Sequence, residues 1–336
     1  MSRTGASEAA PRRGPPHGRR LRILTWHVHG NYLYSLTQLP HDFVIPVLPG
    51  DPPGYAAPGP KIPWGPNVRP VPAQDVCREP LDCVIYQSRG AFERDRLLLL
   101  TPAQQALPCA YIEHNPPEPH PTDTVHWFRH EHGVLVHVTH HNALMWDCQD
   151  VPTRVIEHGL VAPPRPLYTG ELARGITVVN HLRRRGRRVG ADLYQWAGRR
   201  VPLDLIGMGS EELGGQGEVP NMEVGATMSR YRFFFSPIRY ASLGLSLVEA
   251  MMAGLPIVGI AATELPGVID NGVSGWVDSR PQRLVDCMRQ LIQEPELARR
   301  WGRAAREAAL KRFSIDRYVG DWNTLLAGLA GGQNQE

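Results

Sequence analysis

The sequence predicts an α/β protein of two Rossmann-like domains whose parallel sheets face a cleft between them. Three observations predict it. Short apolar, β-rich runs that end in polar residues recur through the first half, as buried parallel strands do. Strand-like and helix-like patterns alternate through the second half, which implies parallel sheets with right-handed crossovers. Between the halves, "TRVIEHGLVAPPRPLYTG" (153–170) is rich in proline and reads as an interdomain link. A length of 336 residues is enough for two domains, each with its own core.

The elements follow in chain order. Residues 1–20 carry five arginines and one glutamate and lack an apolar run, so they read as a disordered basic tail and not as a secretion signal. The first domain spans 21–162. Its strand candidates are "LRILTWHVHG", "LDCVIYQS", "PCAYIEH" and "GVLVHVTH", with "AFERDRLLLLTPAQQAL" as the clearest helical pattern. The second domain spans 163–314. Here "ITVVNHLRRRGRRVGADLYQWA" reads as a helix or helix pair, and "VPLDLIGMG" as a strand with a glycine loop. "YRFFFSP" reads as a strand, "LGLSLVEAMMAG" as a helix, and "LPIVGIAA" and "GWVD" as strands. The patterns "PQRLVDCMRQLI" and "ELARRWGRAAREAALKRF" have helical spacing. Residues 315–336 read as a last helix packing back on the first domain, then a tail.

Composition bounds the function. Hydrophobic residues make up 42% and charged residues 21%, the profile of a soluble globular protein. The net charge is +3, and the body without its tail is close to neutral, which gives no argument for nucleic acid. No stretch approaches the roughly 18–20 apolar residues of a membrane helix. Five cysteines without CxxC spacing read as reduced thiols in a cytoplasmic protein. Eight of the fourteen histidines lie between 114 and 141, but their spacing fits no standard metal site and no Asp-x-Asp occurs. That segment reads as a proline-rich loop on the cleft rim. The basic run 181–188 fits a solvated helix face, or peripheral contact with an anionic membrane.

One stretch carries a chemical signal. In "YASLGLSLVEAMMAGLPIV" (240–258) a single carboxylate, Glu249, sits among small and apolar residues. Gly244, Leu245 and Ser246 fall where a helix's first turn presents unpaired N–H groups, a ready anion site. Gly254 and Pro256 end the helix. Glu249 lies about one turn in, where it could accept two hydrogen bonds from the diol of a ribose. An uncompensated buried carboxylate is costly, so a ligand or cation is expected to face it. On the first domain, His27 and His29 alternate at a strand end and, with Asn31 and Tyr32, are candidates to meet an acceptor.

The segment from Phe235 to Val277, "SPIRYASLGLSLVEAMMAGLPIV" followed by "TELPGVIDNGVSGWV", resembles the nucleotide-sugar signature of glycosyltransferase family 4. Further similarity lies in "YIEHN", "TRVIEHGL", "YTGELARG", "LDLIGMGSE" and "ARRWGRAAREAALKRFSI". The resemblance covers almost all of the C-terminal half, but only strand ends in the N-terminal half. It implies the GT-B fold and a retaining, metal-independent transfer from a UDP-, GDP- or ADP-sugar to an unknown acceptor (glycan, lipid or small molecule), with no cofactor. It further implies that Glu249 meets the donor ribose and that Arg174 neutralises the diphosphate. Gly30 would approach the phosphates, and His114 the donor sugar near the reacting carbon. Gly170 belongs to the glycine–basic–glycine element, and Gly207 and Gly209 to the loop at the nucleobase.

Departures from the pattern bear on catalysis. Ala241 stands where the family usually has its first glutamate, Glu171 where an arginine is common, and Thr263–Glu264 where a glycine pair is usual. The first reading is a rearranged sugar pocket in which Glu264 or Arg239 supplies the lost contacts. The second is a degenerate protein that binds sugar nucleotides without transfer. An epimerase would need carboxylates that the N-terminal half does not display, and a phosphorylase a pyridoxal lysine, which neither Lys61 nor Lys311 is placed to be.

Overall fold

The computed structural model describes residues 19–331; most of the expected basic tail lies outside them. The first domain is a parallel sheet of seven strands: β1 (Arg22–Thr25), β2 (Asp42–Val47), β3 (Val68–Pro72), β4 (Cys83–Tyr86), β5 (Cys109–Glu113), β6 (Gly133–His137) and β7 (Thr153–Val155), in the spatial order β3-β2-β1-β4-β5-β6-β7. The second holds five parallel strands, β8 (Leu172–Val178), β9 (Leu203–Ile206), β10 (Tyr231–Ser236), β11 (Ile257–Ile260) and β12 (Gly275–Asp278), in the order β12-β11-β10-β8-β9. Every strand pair is parallel. β4, β5, β6, β10 and β11 are buried along their whole length, which is why they read as continuous apolar runs.

Several local expectations are corrected. Ile176, Thr177 and Val178 of "ITVV" belong to β8 and not to a helix: these β-branched residues pair with β9 and β10, and the chain turns α-helical only at Leu182 and again at Ala191. The expected helix 91–107 is broken into a π turn and two four-residue helices, the second opened by a capping box of Thr101 and Gln104. β2 and β3 were not anticipated because they contain Pro46, Pro70 and Pro72. β3 tolerates its prolines because it lies at the sheet's edge. Part of the expected link is β7.

The final helix, Ile315–Gly331, lies against the first sheet. Tyr318, Trp322 and Leu326 share one core with Ile23, Leu33, Ile85 and Val136. In the second domain, the helix Pro295–Arg312 packs on the end of the helix Leu245–Ala253, with Gly302 against Gly254. A Cβ at 302 would overlap the Gly254 carbonyl, so only glycine permits this approach. Among the described residues no helix is long and apolar enough to cross a membrane.

Candidate functional site

The two sheets turn their carboxyl ends toward one another, as open parallel sheets do where they bind ligands. Between them lies a cavity of about 470 Å³, within the range of ligand pockets. The turn after β1 supplies Val28 to Tyr32. The segment after β8 supplies Val179, Asn180 and Arg185, and that after β9 supplies Gly207 and Met208. The second domain adds Glu218, Val219, Asn221, Ala241, Ser242, Gly244, Leu245, Ser246 and Glu249.

The helix Leu245–Ala253 governs one wall. Its N-cap is Gly244, in an extended conformation (φ −71, ψ 139), and no side chain caps it. Its first N–H groups therefore have no intrahelical partner. Ser246 turns its hydroxyl away, donating to the Val178 carbonyl at 3.3 Å. The helix ends at Gly254, whose φ of +98 is the left-handed conformation of a glycine stop. Glu249, one turn in, lines the cavity without an ion-pair or hydrogen-bond partner among the described residues. Burial alone raises its pKa from 4.5 to about 7. A carboxylate so placed is stabilised by any ligand that donates to it.

The loops after β8 and β9 are tied together. Asn180 Oδ1 accepts the Met208 N–H at 2.9 Å, and the Gly207 N–H donates to the Gly217 carbonyl at 2.9 Å. Gly207 has a φ of +128, and a Cβ there would lie 2.8 Å from Asn180 Oδ1, so the junction requires glycine. Gly209, also left-handed (φ +67), caps the next turn just outside the cavity lining.

On the opposite wall, His29, Gly30, Asn31 and Tyr32 line the cavity. His114 lies behind them, half-buried, with its ring centroid 4.5 Å from His29 and 4.7 Å from Tyr32. Burial first, then the neighbouring His29 and His158, lower its pKa well below the ordinary 6.5, so the imidazole is neutral at pH 7. Its Nε2 is buried without a partner. His27 faces the loop instead: its Nδ1 lies 2.9 Å from the Ala56 carbonyl, and its ring meets the edge of Trp64.

Three of the expected donor contacts lie elsewhere. Arg174 sits within β8 and pairs with Asp204 of β9 at 3.1 Å. Gly170 precedes β8 at the end remote from the cleft, where its left-handed backbone packs on the Tyr168 ring. Arg239 is held by Asp192 at 2.7 Å and by the Arg187 carbonyl. Strand polarity is the reason: a cationic residue reaches the cleft from the segment after β8, not from the strand body. Arg185 does so, although it was passed over as part of a solvated basic run. Asn180, Glu218 and Asn221 were also missed, and their signal was position after a strand's carboxyl end.

Glu264 supplies no cavity contact either. Its Oε2 accepts the His141 N–H of the first domain at 2.8 Å, and its Oε1 accepts Arg312 at 2.8 Å; Arg312 also pairs with Glu157 at 2.6 Å. Nearby, Asn142 donates to Ser242, which donates to the His114 carbonyl, and Tyr240 donates to the Pro117 carbonyl at 3.0 Å. The loop 237–243 thus bridges the domains. Among the described residues no three His, Cys, Asp or Glu side chains converge as metal ligands. Several histidines of 114–141 serve local ties, such as His126 to Glu113 at 3.1 Å and His130 to the Gln105 carbonyl at 2.9 Å.

Residues 210–308, which include the Glu249 helix, match the family described as Glycosyl transferases group 1. N-acetyl-alpha-D-glucosaminyl L-malate synthase of Bacillus anthracis is 33% identical over 86 residues, 25% of this chain and 23% of that protein. The chain therefore matches only about a quarter of that relative's length. Sucrose-phosphate synthase of Thermosynechococcus elongatus has a similar structure (TM-score 0.68, 14% identity), covering 93% of this chain and 100% of that one. Anabaena Alr3699/HepE, solved with UDP and glucose, is also similar (TM-score 0.62, 14% identity, 92% of this chain and 100% of that one). The chain has the GT-B fold, and its match to Glycosyl transferases group 1 falls within its second domain.

Proposed function

We propose that the chain is a retaining, metal-independent glycosyltransferase of family 4 type that moves a sugar from a nucleoside diphosphate sugar to an acceptor. The observation that carries this reading is Glu249: a partnerless, desolvated carboxylate on a cavity wall, one turn in from an uncapped helix N-terminus. A diphosphate on the N–H groups of residues 244–246 leaves its ribose diol within reach of that carboxylate. Arg185, at the end of the short helix Leu182–Arg185 that follows β8, adds positive charge beside the phosphates. These groups are fixed before reaction and oppose the charge that develops on the leaving diphosphate, the task a metal ion performs in other transferases. The neutral imidazole of His114, behind His29 and Tyr32, serves as a hydrogen-bonding group on the sugar side and not as a charged acid. Asn31 and His29 face the acceptor. No strong base is required, because the leaving phosphate can take the acceptor's proton. The interdomain ties of Ser242, Tyr240 and Glu264 hold the cleft closed, which aligns the reactants and excludes water.

Binding without transfer is a second reading, favoured by one observation. Ala241 lines the cavity, and neither Glu264 nor Arg239 replaces the carboxylate usual there, since both are committed elsewhere. Hydrolysis of a panel of UDP-, GDP- and ADP-sugars separates the two. Slow turnover of any donor supports transfer, and tight binding with no turnover in any acceptor mixture supports the second. The nucleotide site itself is tested by thermal denaturation, since a diphosphate that binds only the folded chain must raise its melting temperature. No shift with any nucleoside diphosphate would refute both readings.

A further inference from the structure

We propose that the donor's base is guanine, read by the carboxylate of Glu218. The inference rests on the nucleotide reading above. With the diphosphate at residues 244–246 and the ribose on Glu249, the base falls toward the far end of the cavity. Gly207, Met208, Val219 and Val224 wall that end, and Glu218 and Asn221 form its polar edge. Val224 belongs to the same core as Leu247 and Val248 of the Glu249 helix, so this wall is fixed relative to the ribose site.

Glu218 projects from a fixed backbone. The Gly217 N–H donates to Ser210 Oγ at 2.9 Å, and the Gly217 carbonyl accepts the Gly207 N–H at 2.9 Å. Two residues on, Pro220 is the N-cap of the helix Asn221–Ser229. Glu218 lies on the solvent-exposed rim of the cavity and has no ion-pair or hydrogen-bond partner among the described residues.

An ionised carboxylate only accepts hydrogen bonds. Guanine offers two adjacent donors on one edge, N1–H and the N2 amine, which match a carboxylate in bidentate fashion. Uracil offers one N3–H between two carbonyl oxygens, which a carboxylate repels, and adenine offers an acceptor at N1. The Asn221 amide can then donate to guanine O6. A bidentate pair of this kind favours guanine over the other bases by about tenfold.

The test is calorimetric titration of the full chain with GDP, UDP, ADP and inosine diphosphate. GDP is expected to bind about tenfold or more tighter than UDP and ADP. Inosine diphosphate, which lacks the N2 amine, should fall between. In Glu218→Gln the GDP preference should collapse while UDP binding holds or improves. UDP or ADP binding as tightly as GDP, or a GDP preference that survives Glu218→Gln, would overturn the guanine assignment and leave the nucleotide site standing. Failure of every diphosphate to bind a chain that still melts cooperatively would remove both.

Discussion

Replacing Glu249 should strengthen the fold and weaken the ligand. Burial raises this carboxyl from 4.5 to about 7. Its folded pKa exceeds its unfolded one, so between these values the folded state holds more protons, and stability falls as pH rises. Above pH 7 the ionised group costs about 3 kcal/mol. Glu249→Gln removes that cost, so the ligand-free variant should melt roughly 5 °C or more higher at pH 8, with little difference at pH 4.5. Binding should move the other way. Two charge-assisted hydrogen bonds to a ribose diol are worth about 3 kcal/mol, so Glu249→Ala should weaken nucleotide affinity by about 100-fold. A nucleotide sugar, whose diphosphate diester does not titrate in this range, should bind the wild type about tenfold tighter at pH 8 than at pH 6, because ionised Glu249 is the binding form. Scanning calorimetry and isothermal titration across this range measure both halves. A ligand-free Glu249→Gln that is no more stable at pH 8, together with unchanged affinity, would refute the reasoning.

Other outcomes follow from the same structure. Burial lowers His137 and His158 to about 4, so both stay neutral in the fold while the unfolded chain protonates near 6.5. Stability should fall as pH drops from 6.5 to 4, by about 1.4 kcal/mol per pH unit for each, and His158→Gln should flatten that slope in an acid-melting series. Arg185→Ala should weaken diphosphate binding about tenfold in titrations, whereas Arg174→Ala, which loses only a partly exposed ion pair with Asp204, should leave it within about twofold. Gly302→Ala forces a methyl against the Gly254 carbonyl and should cost about 2–3 kcal/mol in urea unfolding.

How much was legible depended on where the physics is local. β10 and β11 are buried along their length and the Glu249 helix stops at a glycine, so an apolar run and a stop signal revealed them. Glu249 stood out because a carboxylate among apolar neighbours has few explanations. β8 was hidden because its first half, Leu172 to Arg174, is half-exposed and lacks β-branched residues, so that "ITVV" looked like the start of a helix. Arg174 and Arg185 look equally apt in sequence. Only strand polarity shows that one faces Asp204 and the other the cavity. Glu264 could not be placed because its partners, His141 and Arg312, lie 123 and 48 residues away.

The return of the last helix to the first sheet has a mechanical corollary. Where the backbone leaves the first domain and where it comes back, the two passages run side by side: the Leu160 N–H donates to the Phe313 carbonyl at 3.0 Å, and Gly159 packs on Tyr318. Two adjacent tethers act as one door hinge, permitting a swing about a single axis while resisting twist or sliding. A protease nick at Pro163–Arg165 would consequently leave both fragments docked together, because the second carries Trp322 buried inside the first.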